Sequence, residues 1–177
     1  EITYGDWSSD VCSSDLAAGQ AVEAANFNDP KQTVIAGTKA GVDRACEMLK
    51  AAGAKRALPL AVSAPFHSSL MKPAAERLRD RLTSVTLNAP SVAVINNIDA
   101  RAETDPAAIR EALYRQAYGA VRWVEVVQAL RARGLTHIFE CGPGKVLSGL
   151  VKRIDAEVQS VTVLDPATMA EARTLLG

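Results

Sequence analysis

From Ala17 onward the apolar positions follow two rhythms, a spacing of two in short runs and of three or four in longer ones. These are the marks of strands and of amphipathic helices. Residues 21–25 and 33–36 read as short strands joined through Asn28-Asp29-Pro30, residue types that favour turns, which predicts a hairpin-like pair. Val42, Ala45, Cys46, Leu49 and Ala52 then share a helical face up to Gly53, whose tolerance of positive φ suits a helix end. A strand over 57–62 follows. Leu70, Ala74, Leu78 and Leu82 recur every four residues, and Pro73 is compatible with a helix only in its first turn, so that helix starts just after His67.

The same alternation continues to the last residues. The run 92–98 is apolar enough for a buried strand, and Asp105-Pro106 is a cap followed by a first-turn proline, opening a helix through Ile109 and Leu113. After a turn at Gly119, Val121, Val124, Val127 and Leu130 form a second stripe that Gly134 closes. A strand over 136–140, a turn at Gly142-Pro143-Gly144, a helix bearing Val146, Leu147, Leu150 and Ile154, a strand over 158–164 and a helix capped by Asp165-Pro166 complete the pattern. Strand and helix in alternation define an α/β chain and favour a parallel sheet covered on both faces.

Composition narrows the partners. Twenty basic residues balance twenty acidic ones, which removes the broad positive field of a nucleic-acid binder. No apolar run reaches the roughly 20 residues that span a bilayer, and the first residues lack the layout of a signal peptide. Cys12, Cys46 and Cys141 are scattered without metal-ligand spacing, so neither a zinc site nor a disulfide framework is expected, and a cytoplasmic location follows.

Residues 1–16 have neither rhythm. Their stretch from Asp6 to Leu16, DWSSDVCSSDL, resembles the translation of a common sequencing-adapter oligonucleotide. The alternative is a native Ser/Asp-rich tail that buries too little apolar surface to order. On either reading the segment carries no function and makes no packed contacts.

Three stretches, NFNDPKQTVIAG from Asn26, KRALPLAVSAPFHSSLMKP from Lys55 and ECGPGKVLSGLVKR from Glu140, resemble the malonyl-CoA:acyl carrier protein transacylases and related acyltransferase domains of polyketide and fatty-acid synthases. VINNID from Val94 and YRQAYGAVRW from Tyr114 fit in the same order. The resemblance implies a partial hydrolase-like parallel-sheet core over 61–177, with 17–60 as the second half of an inserted ferredoxin-like subdomain. It further implies transfer of a malonyl group from coenzyme A, through a serine ester, to the phosphopantetheine thiol of acyl carrier protein. No resident cofactor is expected, since malonyl-CoA is a substrate, and the full-length enzyme is expected to act as a monomer. Two departures bear on activity: neither the Gly-x-Ser-x-Gly elbow that presents the family's nucleophile nor the upstream arginine that grips the malonyl carboxylate occurs in the 177 residues, so the chain alone is expected to be inactive. A polyketide-synthase acyltransferase domain and a non-catalytic fragment that binds carrier protein are the alternatives.

His67 carries the chemistry in this reading. An imidazole titrates near neutral pH and serves as a general base that returns its proton, and the flanking APFHSSLMKP matches the family's histidine segment. His137 has no such flank and reads as structural. The backbone carbonyl of Gln116 matches the group that orients the family's histidine, unless Gln116 merely ends a surface helix. Asn26, Asn28 and Gln32 match polar positions lining the family's cleft, although turn formation explains Asn28 as well. Phe66 matches a substrate-pocket position. Lys55 and Arg56 are placed to steer an acidic carrier protein. Ser63, Ser68, Ser69 and Ser148 lack the elbow context, and Ser68 or Ser69 reads as a helix cap.

Overall fold

The computed structural model describes residues 2–3 and 21–176. It falls into two compact units, Glu1–Val126 and Val127–Gly177. In the first unit β1 (Ile2–Thr3), β2 (Val22–Asp29), β3 (Gln32–Gly37) and β4 (Arg56–Ala57) form an antiparallel sheet in the order β2-β3-β1-β4. The expected hairpin is present: β2 pairs with β3 around a two-residue turn, and the Asp29 carboxylate accepts the Lys31 N–H at 2.8 Å. Helix α1 (Lys39–Ala51) begins at Thr38, whose side chain accepts from Gly41 N–H, and Gly53 follows it at φ 91°. Leu49 of α1 packs on Ala57 with Ile35 and Cys46 around them.

Two expectations need correction. Residues 1–16 were expected to make no packed contacts, yet Ile2 and Thr3 pair with Thr33, Arg56 and Ala57. The edges of β3 and β4 present backbone N–H and C=O groups that accept an extended segment of almost any sequence. The stretch from Asp6 to Leu16 lies outside the described residues. The strand expected over 57–62 shrinks to Arg56–Ala57, and that over 92–98 to a single bridge between Ile95 and Ala102. Leu60, Val62, Val92 and Val94 are all exposed, Val92 by 74%. A parallel-sheet strand is made by its neighbours, and among the described residues no neighbouring strand lies along 58–62 or 92–98.

The helix pair that follows places the rest of the unit. A short 3-10 turn at Ser69–Met71 runs into α2 (Lys72–Thr83), with Pro73 in its first turn as expected. Helix α3 (Pro106–Gln116) is capped by Asp105, whose carboxylate accepts from Ala107 and Ala108 N–H. Near the start of α3, Arg110 donates to the Leu82 and Val85 carbonyls at 3.0 Å each, at the end of α2. Near the end of α3, the Tyr114 hydroxyl donates to Glu76 at 2.5 Å, close to the start of α2. Those two ties make the helices antiparallel and bring the last turn of α3 beside the first turn of α2. The bond to Glu76 pushes the Tyr114 phenol up to about 12, so it remains a donor throughout the neutral range.

In the second unit β5 (His137–Cys141) and β6 (Gln159–Val163) pair in parallel, the crossover being α5 (Val146–Ile154). Helix α4 (Trp123–Ala132) precedes β5 and α6 (Pro166–Leu176) ends the described chain. Val127, Ser148, Leu150, Val151, Val158, Val163 and Ala172 are the unit's buried positions among the described residues. Glu140 at the end of β5 caps α5, accepting from Leu147 and Ser148 N–H at 3.0 and 2.8 Å. Burial pushes that carboxyl up, but the bonds from Ser148 and Leu147 outweigh it and hold it below its ordinary range.

Candidate functional site

His67 occupies the junction between the irregular segment after β4 and the 3-10 turn, at φ 59°. A non-glycine residue in the left-handed region is uncommon, is strained by roughly 1–3 kcal/mol, and persists only where its surroundings hold it. Fully buried Ser68 donates its hydroxyl to the Pro65 carbonyl at 2.7 Å, closing a loop across His67.

The imidazole Nδ1 lies 3.1 Å from the Gln116 carbonyl oxygen and 3.2 Å from that of Gly119. Two carbonyls can only accept, so Nδ1 carries the hydrogen and the neutral ring leaves its lone pair on Nε2. The carbonyls are available because a helix's last C=O groups lack intrahelical donors, and Gln116 is the last residue of α3. Gly119 has a steric reason to be glycine: a Cβ there would fall 2.3 Å from Ile98 Cδ1 and 2.9 Å from the Arg115 carbonyl oxygen.

A clamp fixes this end of α3. Arg115 donates to both carboxylate oxygens of Asp99, at 2.9 and 2.6 Å, and Asp99 N–H donates to Asn96 Oδ1 at 2.7 Å. The bonds from Arg115 hold the Asp99 carboxyl below its ordinary value, against the opposing effect of burial. A depressed carboxyl pKa contributes stability above its unfolded value, 3.8, that is lost as pH falls through the folded value. Asp99→Asn is therefore expected to cost about 1 kcal/mol near neutral pH, partial exposure trimming the charged bonds. The cost should shrink to nothing in acid. Urea midpoints of both chains between pH 7 and pH 3 check this; a gap that stayed constant would contradict it.

The other sequence-derived positions are spread along the first unit. Asn26 is half-buried in β2 and bridges Val121, two residues past Gly119. Asn28 and Gln32 lie at the turn end of the hairpin, Gln32 opposite Asp29. Phe66 adjoins His67 and is 49% exposed. Lys55 and Arg56, the first residue of β4, are both exposed. His137 sits in the second unit, its Nδ1 2.9 Å from the Thr136 hydroxyl and its ring stacked on Phe139.

Sequence reasoning overlooked Glu23. From β2 its two oxygens accept Ser69 N–H at 3.1 and 3.2 Å, and the Ser69 hydroxyl also donates to it. The cap expected from Ser68 or Ser69 is thus supplied by a carboxylate 46 positions upstream, and Ser68 makes no side-chain cap bond. Nothing local announces it. The Asp99–Arg115 clamp was equally silent. Among the described residues no group of three or more His, Cys, Asp or Glu side chains is placed to hold a metal, and no helix is long and apolar enough to cross a membrane.

A neutral imidazole whose Nδ1 is bonded to backbone carbonyls keeps its lone pair on Nε2, the tautomer in which that nitrogen can accept a proton. The acyl transferase domain family matches residues 10–168, and the chain belongs to it. The malonyl CoA-acyl carrier protein transacylase of Salmonella typhimurium is 52% identical over 158 residues, which are 89% of this chain and 51% of that protein. Among solved structures, an acyl-carrier-protein S-malonyltransferase from Burkholderia pseudomallei is 59% identical with a TM-score of 0.86, over 89% of this chain and 51% of that one. A malonyl-transacylase in complex with a type II PKS acyl-carrier protein is 46% identical with a TM-score of 0.91, over 97% and 55%. The chain spans about half the length of the curated relatives it matches.

Proposed function

We propose that this chain is the C-terminal part of a cytoplasmic malonyl-CoA:acyl carrier protein transacylase of fatty-acid synthesis, and that His67 is its general base. The observation that carries the reading is the two-carbonyl clamp on Nδ1, which leaves Nε2 able to take a proton. In each half-reaction Nε2 accepts the proton of the attacking group, first a serine hydroxyl and then the carrier's thiol, and gives one to the departing sulfur or serine oxygen. The serine belongs to the complementary half. Gln116 acts through its carbonyl, with Gly119 as a second acceptor that the sequence did not suggest.

In this reading residues 17–60 belong to a ferredoxin-like subdomain and 61–177 to a hydrolase-like core. Asn26, Asn28 and Gln32 offer amide groups to the pantetheine arm or thioester, and the Phe66 ring borders the malonyl group. The relative solved with a type II PKS carrier favours a second reading, in which the carrier belongs to a polyketide synthase. In either case the test is transfer itself. A full-length chain ending in this sequence should move malonyl from coenzyme A to a fatty-acid-synthesis carrier protein with higher kcat/KM than to a type II polyketide carrier; the reverse order would select the second reading, and no transfer to either would remove both.

Lys55 and Arg56 are exposed cations, and rim charges act on encounter with an oppositely charged partner. Lys55→Ala with Arg56→Ala is expected to raise KM for the carrier protein several-fold more than KM for malonyl-CoA, and to weaken the salt dependence of transfer. Equal increases for both substrates would instead assign the pair to the phosphates of coenzyme A.

A further inference from the structure

Glu23 lies outside every stretch that carries the resemblance, yet it grips the backbone from which His67 hangs. Its carboxylate takes the Ser69 N–H and hydroxyl, and charge-assisted bonds of this kind are about twice as strong as neutral ones. Ser69 is two residues beyond His67, and the Ser68–Pro65 bond closes the other side of the turn. The left-handed φ of His67 is therefore held from both directions.

The same strand holds the opposite partner. Val121 N–H donates to the Ala25 carbonyl at 2.8 Å and Phe27 N–H to the Val121 carbonyl at 2.9 Å, which fastens to β2 the loop that presents the Gly119 carbonyl. Between Glu23 and Phe27, one extended segment thus registers the histidine's turn against its acceptor's loop. Of these attachments only the one at Glu23 is a side chain, so only it can be removed by substitution without breaking the strand.

We propose that Glu23 is a positioning residue for His67, holding the turn after it so that Nδ1–H stays between the Gln116 and Gly119 carbonyls and Nε2 stays free. This rests on the reading of His67 as the base. The test on the 177-residue chain is the tautomer of His67, read from its ¹⁵N ring shifts, with His137 as the internal control. The unaltered chain is expected to show the Nδ1–H form. Glu23→Ala is expected to shift His67, and not His137, toward the Nε2–H form that free imidazole side chains favour in water. Glu23→Gln, which keeps an acceptor but loses the charge, should fall between them. In a full-length transacylase Glu23→Ala should lower kcat roughly 10–100-fold, the scale of a small misplacement of a reacting group, with KM for malonyl-CoA unchanged.

A folded Glu23→Ala chain with His67 wholly in the Nδ1–H form would overturn the proposal. Should that variant not fold, Glu23→Gln decides: a tautomer and a kcat identical to the unaltered protein's overturn it as well. A shifted tautomer with kcat intact would uphold the placement and remove His67 as the base. An inactive His67→Ala enzyme beside an unshifted tautomer in Glu23→Ala would do the opposite.

Discussion

His67→Ala in a full-length transacylase that ends in this sequence is expected to reduce malonyl transfer by roughly 10²–10⁴-fold, the usual contribution of a positioned general base. The loss should appear in kcat with KM for malonyl-CoA little changed, because the imidazole is given work on the proton and none in holding the substrate. His137→Ala should leave kcat intact. Its ring stacks on Phe139 and its Nδ1 meets the Thr136 hydroxyl, so its removal is felt, if anywhere, as a lower melting temperature. Steady-state kinetics on the two variants separates the histidines; comparable losses of kcat from both would overturn the assignment.

The second large effect is an absence of reaction. The 177-residue chain, incubated with malonyl-CoA, is expected to form no malonyl-enzyme, since removing the nucleophile alone abolishes most of an acyl-transfer enzyme's advantage. None of Ser63, Ser68, Ser69 and Ser148 is placed to substitute. Ser68 is fully buried and donates to the Pro65 carbonyl, while Ser69 spends its hydroxyl on Glu23. Ser148 is buried at the start of α5 against the Thr162 hydroxyl, and Ser63 is exposed in an irregular segment. Intact-mass spectrometry reads the result directly. Stoichiometric malonylation at any of these positions would show that a nucleophile exists where the geometry provides none.

What the sequence made legible was whatever the chain decides within a few residues. The hairpin around Asp29, the cap at Asp105, the glycines closing α1 and α4 and the crossover from β5 to β6 all emerge from local rules of turn, cap and period. The apolar runs at 57–62 and 92–98 were misread as full strands for the complementary reason: a strand is completed by another segment, and no local pattern shows whether one is there. The pairing of Ile2 and Thr3 was missed on the same ground. At the site, His67 and Gln116 were named through family resemblance, and no spacing in the chain would have joined residues 49 positions apart. Glu23 and the Asp99–Arg115 clamp needed the fold, because a lone Glu in a strand and a lone Arg near a helix end look like any solvated charge.

The bond from Nδ1 to two carbonyls also restricts the imidazole as a rotor. A half-turn of the ring would carry Nδ1–H away from both Gln116 and Gly119 and set a C–H before them, so the flip is resisted on both counts. A proton that arrives on Nε2 must then depart from Nε2, on the same side. In the proposed reaction the donor and the recipient of each proton would therefore meet the same edge of the ring in turn.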